Sequence, residues 1–345
     1  RNLDMRDLKI KLTSSKNASN IESKTKCKSF GYQVLGFGSG GGGLAVLPDP
    51  TQKGIFMFGY NGPAGYMCTS NLVNSSGVVG SNVGCVGAAK GNPTAVTYGG
   101  DRAVGCYGYV TGYVNTRNLI TNAGVVGADT TGAGTARYNA HSCKYGGDKG
   151  VFFGGNGPGN MGMTNLVTNE GVVGTDVSIV SGVTARREMA SAGYGGDKGF
   201  FAYGYVGPGI VSVKNLVDNL GVMTADVTGV GADRATPSSC EVGSGYDNQA
   251  VIAFGSTGSR TNISNLVTSL GVIGADRSGV GTLRQNGRGT RYGGDKGIMV
   301  FGNTAPAGWT GISNLVSNTG VVASDTAAVA TMKESISSAG YSQSA

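Results

Sequence analysis

The sequence holds one histidine, His141, one tryptophan, Trp309, and eight prolines in 345 residues. A single imidazole excludes metal sites and catalytic constellations that need two or more. The six cysteines (Cys27, Cys68, Cys85, Cys106, Cys143 and Cys240) form no C-x-x-C pair, so a zinc site is not indicated. No apolar run approaches the roughly 18 residues of a membrane-spanning helix, and the start lacks the charged-then-apolar order of a signal peptide. The chain opens at Arg1 rather than Met, so either the numbering starts inside a longer product or something has been removed. Helical periodicity is missing throughout. Charge is sparse, with 27 basic and 20 acidic residues. Eight of the basic residues fall in 1–43 against three acids, which leaves the remaining body nearly neutral and argues against a body-wide nucleic-acid surface.

Glycine is what the sequence has in excess: 64 residues, nearly one in five, without the every-third-residue period of collagen. The pair Asn-Leu recurs at 71, 118, 165, 215, 265 and 314, at spacings of 47, 47, 50, 50 and 49 residues. Each copy reads as four short segments. In the copy at 185–232 they are ARREMASAGYGGD, KGFFAYGY, VSVKNLVDNLG and VMTADVTGVGAD. The second is aromatic and β-branched between glycines, and the third alternates Val211, Val213, Asn215 and Val217 against Ser212, Lys214 and Leu216; these are strand signals. A four-strand unit of this size cannot bury both faces alone, so copies must stack. Radial stacking into a β-propeller suits the period better than a solenoid, and glycine then serves close strand approach and turns with φ > 0.

The stretches TARREMASAGYGGDKGFFAYG (184–204) and TARYNAHSCKYGGDKGVFFGG (135–155) resemble the Kelch repeat. Over about 44–341 the wording GGDKxxFxFG, SxTNLVSNTGVVxxD and TGVGTAR looks like Kelch-like propeller proteins among the tail and virion proteins of bacteriophages. The resemblance implies an all-β propeller over 44–345, with six blades expected and seven as the alternative; the basic charge of 1–43 reads separately as a solvated attachment arm or tether, with docking onto an acidic partner surface as the alternative. The terminal segment TMKESISSAGYSQSA (331–345) matches a first strand and is expected to complete the first blade. GGGGLAVL (40–47) competes for that place, and LKIKL (8–12) and YQVLGF (32–37) keep the seventh blade open.

His141 stands where a sister copy has Ala190 and reads as packed or facing a central channel. Asp129, Asp176, Asp226, Asp276 and Asp325 recur once per repeat, as do Asp101, Asp148, Asp197, Asp247 and Asp295. An active site is made once, so these read as turn residues that accept backbone hydrogen bonds. They also lack the dense oxygen ligands of a calcium loop. Cys106 and Cys143 read as core thiols, and Cys68 and Cys85 could pair. The glycines at 38 and 40–43 lack the Gly-Lys-Ser/Thr of a phosphate loop and read as a hinge.

The connections after the second segment differ most between copies and carry Tyr60, Tyr66, Tyr109, Tyr113, Tyr205 and Trp309. Such rings suit carbohydrate or protein contact. Trp309, Tyr66, Tyr109, Tyr113 and Tyr205 are the candidate binding residues; no catalytic, metal or cofactor residue is assigned. The expectation is a non-enzymatic virion structural or adhesion protein, tied to other virion proteins by the 1–43 arm and facing a host glycan or protein. It would act within an oligomeric assembly, with no nucleic-acid contact by the propeller body and no membrane span. The alternative is a carbohydrate-binding lectin of cellular origin, secreted.

Overall fold

The computed structural model describes residues 52–207, 209–304, 308–327 and 330–342. The arm over 1–43, the segments at 8–12, 32–37 and 40–47, and Cys27 lie outside the described residues. Every described residue belongs to the compact unit that begins at Pro48. The described residues form an all-β structure of antiparallel sheets, with two single-turn 3-10 helices and no α-helix. No helix among them is long and apolar enough to cross a membrane.

Each repeat builds one small sheet. Sheet 1 joins β1 (Lys53–Asn61), β2 (Gly65–Val73) and β3 (Val79–Val83) to the chain's last strand, β22 (Ser337–Tyr341). Sheet 2 is β4 (Thr94–Tyr98), β5 (Arg102–Cys106) and β6 (Arg117–Ile120). Sheet 3 is β7 (His141–Tyr145), β8 (Lys149–Phe153), β9 (Met163–Val167) and β10 (Val177–Ser178). Sheet 4 is β11 (Ala190–Tyr194), β12 (Lys198–Ala202) and β15 (Lys214–Val217), with a two-stranded ribbon, β13 (Tyr205–Val206) and β14 (Gly209–Ile210), in its connection. Sheet 5 is β16 (Ser238–Val242), β17 (Gln249–Ala253) and β18 (Ser264–Val267). Sheet 6 is β19 (Arg288–Tyr292), β20 (Lys296–Thr304) and β21 (Gly308–Val316). The last strand pairs with β1 from Lys53↔Tyr341 to Met57↔Ser337, as the terminal first-strand copy led us to expect.

The fourth segment departs from expectation. In most repeats it touches the third strand at two isolated bridges, such as Ile120↔Val126 and Arg117↔Thr130, or Val217↔Met223 and Lys214↔Val227. Four steps on one side oppose three on the other, so each ladder holds one extra residue, a bulge. The repeated Asn causes it. The Asn118 side-chain amide donates to the Gly127 carbonyl at 3.0 Å and that of Asn215 to the Thr224 carbonyl at 2.9 Å, taking acceptors in place of the backbone ladder.

Sheets pack through six separate apolar clusters, one for each pair of neighbours. Phe56, Phe152, Phe153, Phe200 and Phe201 are fully buried there, each contributing about 2 kcal/mol of burial. Glycine in the second strand sets the spacing: a Cβ on Gly199 would sit 2.4 Å from the Cys143 sulfur, and one on Gly297 2.3 Å from that of Cys240. First strands touch in the succession β4, β7, β11, β16, β19, β22 and back to β4. Backbone hydrogen bonds follow the same route. Asn139 donates to Asn92 (3.0 Å), Glu188 to Asn139 (3.5 Å), Thr236 to Glu188 (2.8 Å), Asn286 to Thr236 (3.2 Å), Ser335 to Asn286 (3.1 Å) and Asn92 to Ser335 (2.7 Å). All six residues hold φ between 51° and 59°, a left-handed conformation uncommon for residues with side chains.

Cys68 and Cys85 form a disulfide that ties β2 to the segment after β3, while Cys106, Cys143 and Cys240 are free and buried. Deleting residues 337–345 removes the strand that pairs with β1 on the edge away from β2 and lines a cavity, and cooperative thermal unfolding is expected to be lost, with dye-accessible apolar surface appearing. A truncated protein that melts like the full chain would contradict this arrangement.

Candidate functional site

Four residues before each first strand stands a cation with almost no exposure: Lys90, Arg137, Arg186, Arg234, Arg284 and Lys333. Each lies over an aromatic ring of the preceding sheet, Phe58, Tyr107, Phe153, Tyr203, Phe254 and Phe301 in turn, at 3.6–5.4 Å from the ring centroid. Burying a cation costs several kcal/mol unless it is paired and hydrogen-bonded. In sheets 2 to 5 the side-chain oxygen of the repeated Asn accepts from the cation: Asn118 from Lys90 at 2.8 Å, Asn215 from Arg186, Asn165 from Arg137, and Asn265 from Arg234. Its amide donates to the repeated Asp at 2.7–2.9 Å. Asp129, Asp176, Asp226 and Asp325 complete ion pairs with the cations at 3.2, 3.3, 3.5 and 3.9 Å.

These Asp side chains do accept backbone N–H groups, as expected, but over a long range rather than in a local turn. Ala88 donates to Asp129 across 41 residues and Thr184 to Asp226 across 42. Burial would raise the Asp176 carboxyl, yet hydrogen bonds from Thr135 and Asn165 and the charge of Arg137 hold it below its ordinary value; Asp226 and Asp325 are held low in the same way by Thr184, Asn215 and Arg186 and by Thr282, Asn314 and Arg284. They are clamps on the sheets. Sheet 1 has no Asp at this position: Asn82 stands there and accepts from Asn71 at 2.9 Å. Lys333 is left with the Thr69 carbonyl at 3.3 Å, and burial pulls its ammonium down to about 7.

Four of the five predicted binding residues, Trp309, Tyr66, Tyr109 and Tyr113, come together. Trp309, Tyr60, Tyr66, Tyr109, Tyr113 and Tyr138 form a connected string, with neighbouring ring centroids 5.5–6.1 Å apart. It runs from sheet 6 across sheets 1 and 2 to the segment leading into sheet 3. Tyr60, Tyr66 and Trp309 sit on extended hairpins rather than loops, since Tyr60 pairs with Tyr66 across β1 and β2, and Asn303 with Trp309 across β20 and β21. The rings keep partial exposure, most at Tyr113 (42%). Trp309 donates its ring N–H to Glu334 at 3.2 Å and packs on Gly62, where a Cβ would clash at 1.9 Å; it is therefore a packing residue as well as a contact candidate. Burial, then Tyr109, Tyr60 and Tyr138, push the Tyr66 hydroxyl up, so it stays a hydrogen-bond donor.

Tyr205 lies apart from the string, 4.4 Å from the Arg187 guanidinium, beside Asn156 and Asn160, which accept from Arg187 at 3.4 and 2.7 Å. Tyr138 was not a candidate, because the equivalent positions hold Gly91, Arg187, Ala235, Gln285 and Glu334 and only the pairing Tyr138↔Asn156 brings it to this surface.

The first strands of all six sheets line a cavity of about 100 Å³ that contains His141, Lys144, Glu241, Arg288 and Arg291. His141 is buried, and burial together with Arg288 and Arg186 drives its pKa well below the usual imidazole range, so the ring is neutral. Among the described residues no three His, Cys, Asp or Glu side chains come together as a metal-ligand set. Neither a scan against protein-family models nor a comparison with curated proteins gives a match.

Arg186→Met removes the cation paired with Asp226 and the donor to the Asn215 side-chain oxygen, and unfolding by denaturant is expected to show a loss of about 3 kcal/mol. Asn82→Asp supplies Lys333 with the carboxylate that the other sheets have, and should raise stability by about 1 kcal/mol. The lowered Lys333 ammonium also fixes a pH sign. The unfolded chain holds that proton up to its ordinary value of 10.5, so folding is penalised most at and below pH 7 and the penalty fades as pH rises. Between pH 7 and 9 wild-type stability is expected to climb relative to Lys333→Met; parallel curves for the two proteins would contradict the assignment.

Proposed function

We propose that the six sheets are the blades of a six-bladed, Kelch-like β-propeller and that the protein is a non-enzymatic virion component of a bacteriophage, in its tail, fibre or capsid. It makes protein or host-surface contacts through its aromatic face. The propeller reading is supported by the succession of first strands that returns to β4, by the circle of backbone hydrogen bonds through Asn92, Asn139, Glu188, Thr236, Asn286 and Ser335, and by the pairing of β22 with β1. Contact by the aromatic face is carried by one observation, the partly exposed string from Trp309 to Tyr138. Flat rings give contact area at small entropic cost. The virion placement rests on the repeat resemblance, with the basic 1–43 segment as attachment to other virion proteins. The Cys68–Cys85 disulfide suits a protein that works outside a reducing cytosol.

The second reading, a secreted cellular lectin, is favoured by the amides of Asn156 and Asn160 beside Tyr205 and Arg187, since rings flanked by amides suit sugars. Tyr113 is the cleanest probe because it is the most exposed ring of the string. Tyr113→Ala should cut binding to host envelope preparations by about tenfold, a loss of about 1.4 kcal/mol, with the melting temperature nearly unchanged. Saturable glycan-array binding that falls in the same variant would favour the lectin. Mass spectrometry of purified phage particles should detect the chain; finding it only in cells that carry no particles or prophage genes would overturn the virion reading.

A further inference from the structure

The cavity between the first strands is unbalanced in charge. Its wall carries three cations, Lys144, Arg288 and Arg291, and one carboxylate, Glu241. Glu241 is shared by Lys144 at 2.9 Å and Arg291 at 3.2 Å. Burial alone would raise its pKa, but Lys144 and Arg291 hold it below the usual carboxylate value. Arg288 has no carboxylate within ion-pair distance among the described residues. Its contacts are the Gly287 carbonyl at 3.1 Å and the neutral His141 Nε2 at 3.4 Å. Glu188, the acid whose charge it feels, already accepts from Arg187 and Asn139. Five of the six buried cations between sheets bond or pair with a repeated Asn or Asp, the sixth being Lys333; Arg288, on a first strand and outside that set, has neither.

His141 comes from β7 in sheet 3 and Arg288 from β19 in sheet 6, three sheets away in either direction of the succession. Their contact spans the cavity. Three of the five serines in its wall spend their protons between strands: Ser142 donates to Ala95, Ser239 to Ser191 and Ser338 to Gly289, at 2.6–2.8 Å. The excess of cations is the wall's strongest offer to an occupant. At about 100 Å³ the space holds a few waters, which suits a small anion and excludes a nucleotide.

From this geometry we infer that the cavity binds a small oxyanion of the carboxylate, phosphate or sulfate class, with Arg288 as its main ligand beside His141 and with Lys144 and Arg291 supplying further positive charge. The anion offsets the cost of a partly buried guanidinium with no carboxylate partner and ties opposite sheets together, so it should act as a structural ligand.

Inorganic phosphate, added at constant ionic strength against chloride, should raise the melting temperature in a saturable way, by about 3 °C at ten times the dissociation constant. The rise should vanish in Arg288→Met, weaken in Arg288→Lys and persist in Arg277→Met, which removes an exposed cation. An equal rise in Arg288→Met and wild type, or one that grows linearly without saturation, would overturn the site. Calorimetric titration of the wild-type chain with phosphate gives a reading that needs no variant: one site per chain supports the inference, and no saturable heat at any temperature tried overturns it.

Discussion

The interaction on which the rest depends is the buried cation at each junction between sheets. It rests on an aromatic ring of one sheet and, at every junction except that of Lys333, bonds or pairs with the Asn or Asp of the next, so a single side chain joins apolar packing and polar satisfaction across the seam. Arg234 is typical, 4.7 Å from the Tyr203 ring and bonded to Asn265. A guanidinium buried this way is costly alone and specific when paired. Its backbone carbonyl also accepts across the junction, from Gly204 at 2.8 Å. The same residue thus fixes spacing and register, and the left-handed turns at Tyr203 (φ 60°) and Thr236 (φ 52°) on either side of it persist because these contacts hold them.

Repetition explains why so much was legible in the sequence. The Asn-Leu period fixes the number of sheets, the KGxxF runs give the second strands, and the terminal SSAGY marks the strand that returns to β1. What could not be read is what depends on distance along the chain. Arg137 and Asp176 are 39 residues apart, so neither the TAR wording nor the recurring Asp disclosed the other as a partner. The Asp residues looked like turn acceptors because their backbone bonds are real, but the donors lie a full repeat upstream. The fourth strand looked regular in composition and proved interrupted, since the bulge comes from the Asn side chain on the neighbouring strand.

The aromatic face follows a similar logic. Trp309 and the tyrosines at 60, 66, 109 and 113 were recognisable because they occupy the segments where the copies differ most. Their grouping was not, because the long hairpins of β1–β2 and β20–β21 carry them out on strands, and because Tyr138 comes from a position that is aromatic in one copy only. The repeated residues build the frame, and the departures from the repeat carry what is particular to this protein: the string of rings, the lone His141, the unpaired Arg288, and the Lys333 seam where Asn82 replaces Asp. Function is therefore to be sought in the irregular positions.

The most direct test of the junction is a double-mutant cycle between Arg234 and Tyr203, with Arg234→Met, Tyr203→Leu and the pair compared by denaturant unfolding. If the cation couples the sheets, the cycle should return an interaction energy of about 1 kcal/mol or more. Additivity of the two losses to within about 0.3 kcal/mol would mean that the stacked cation does not join one sheet to the next.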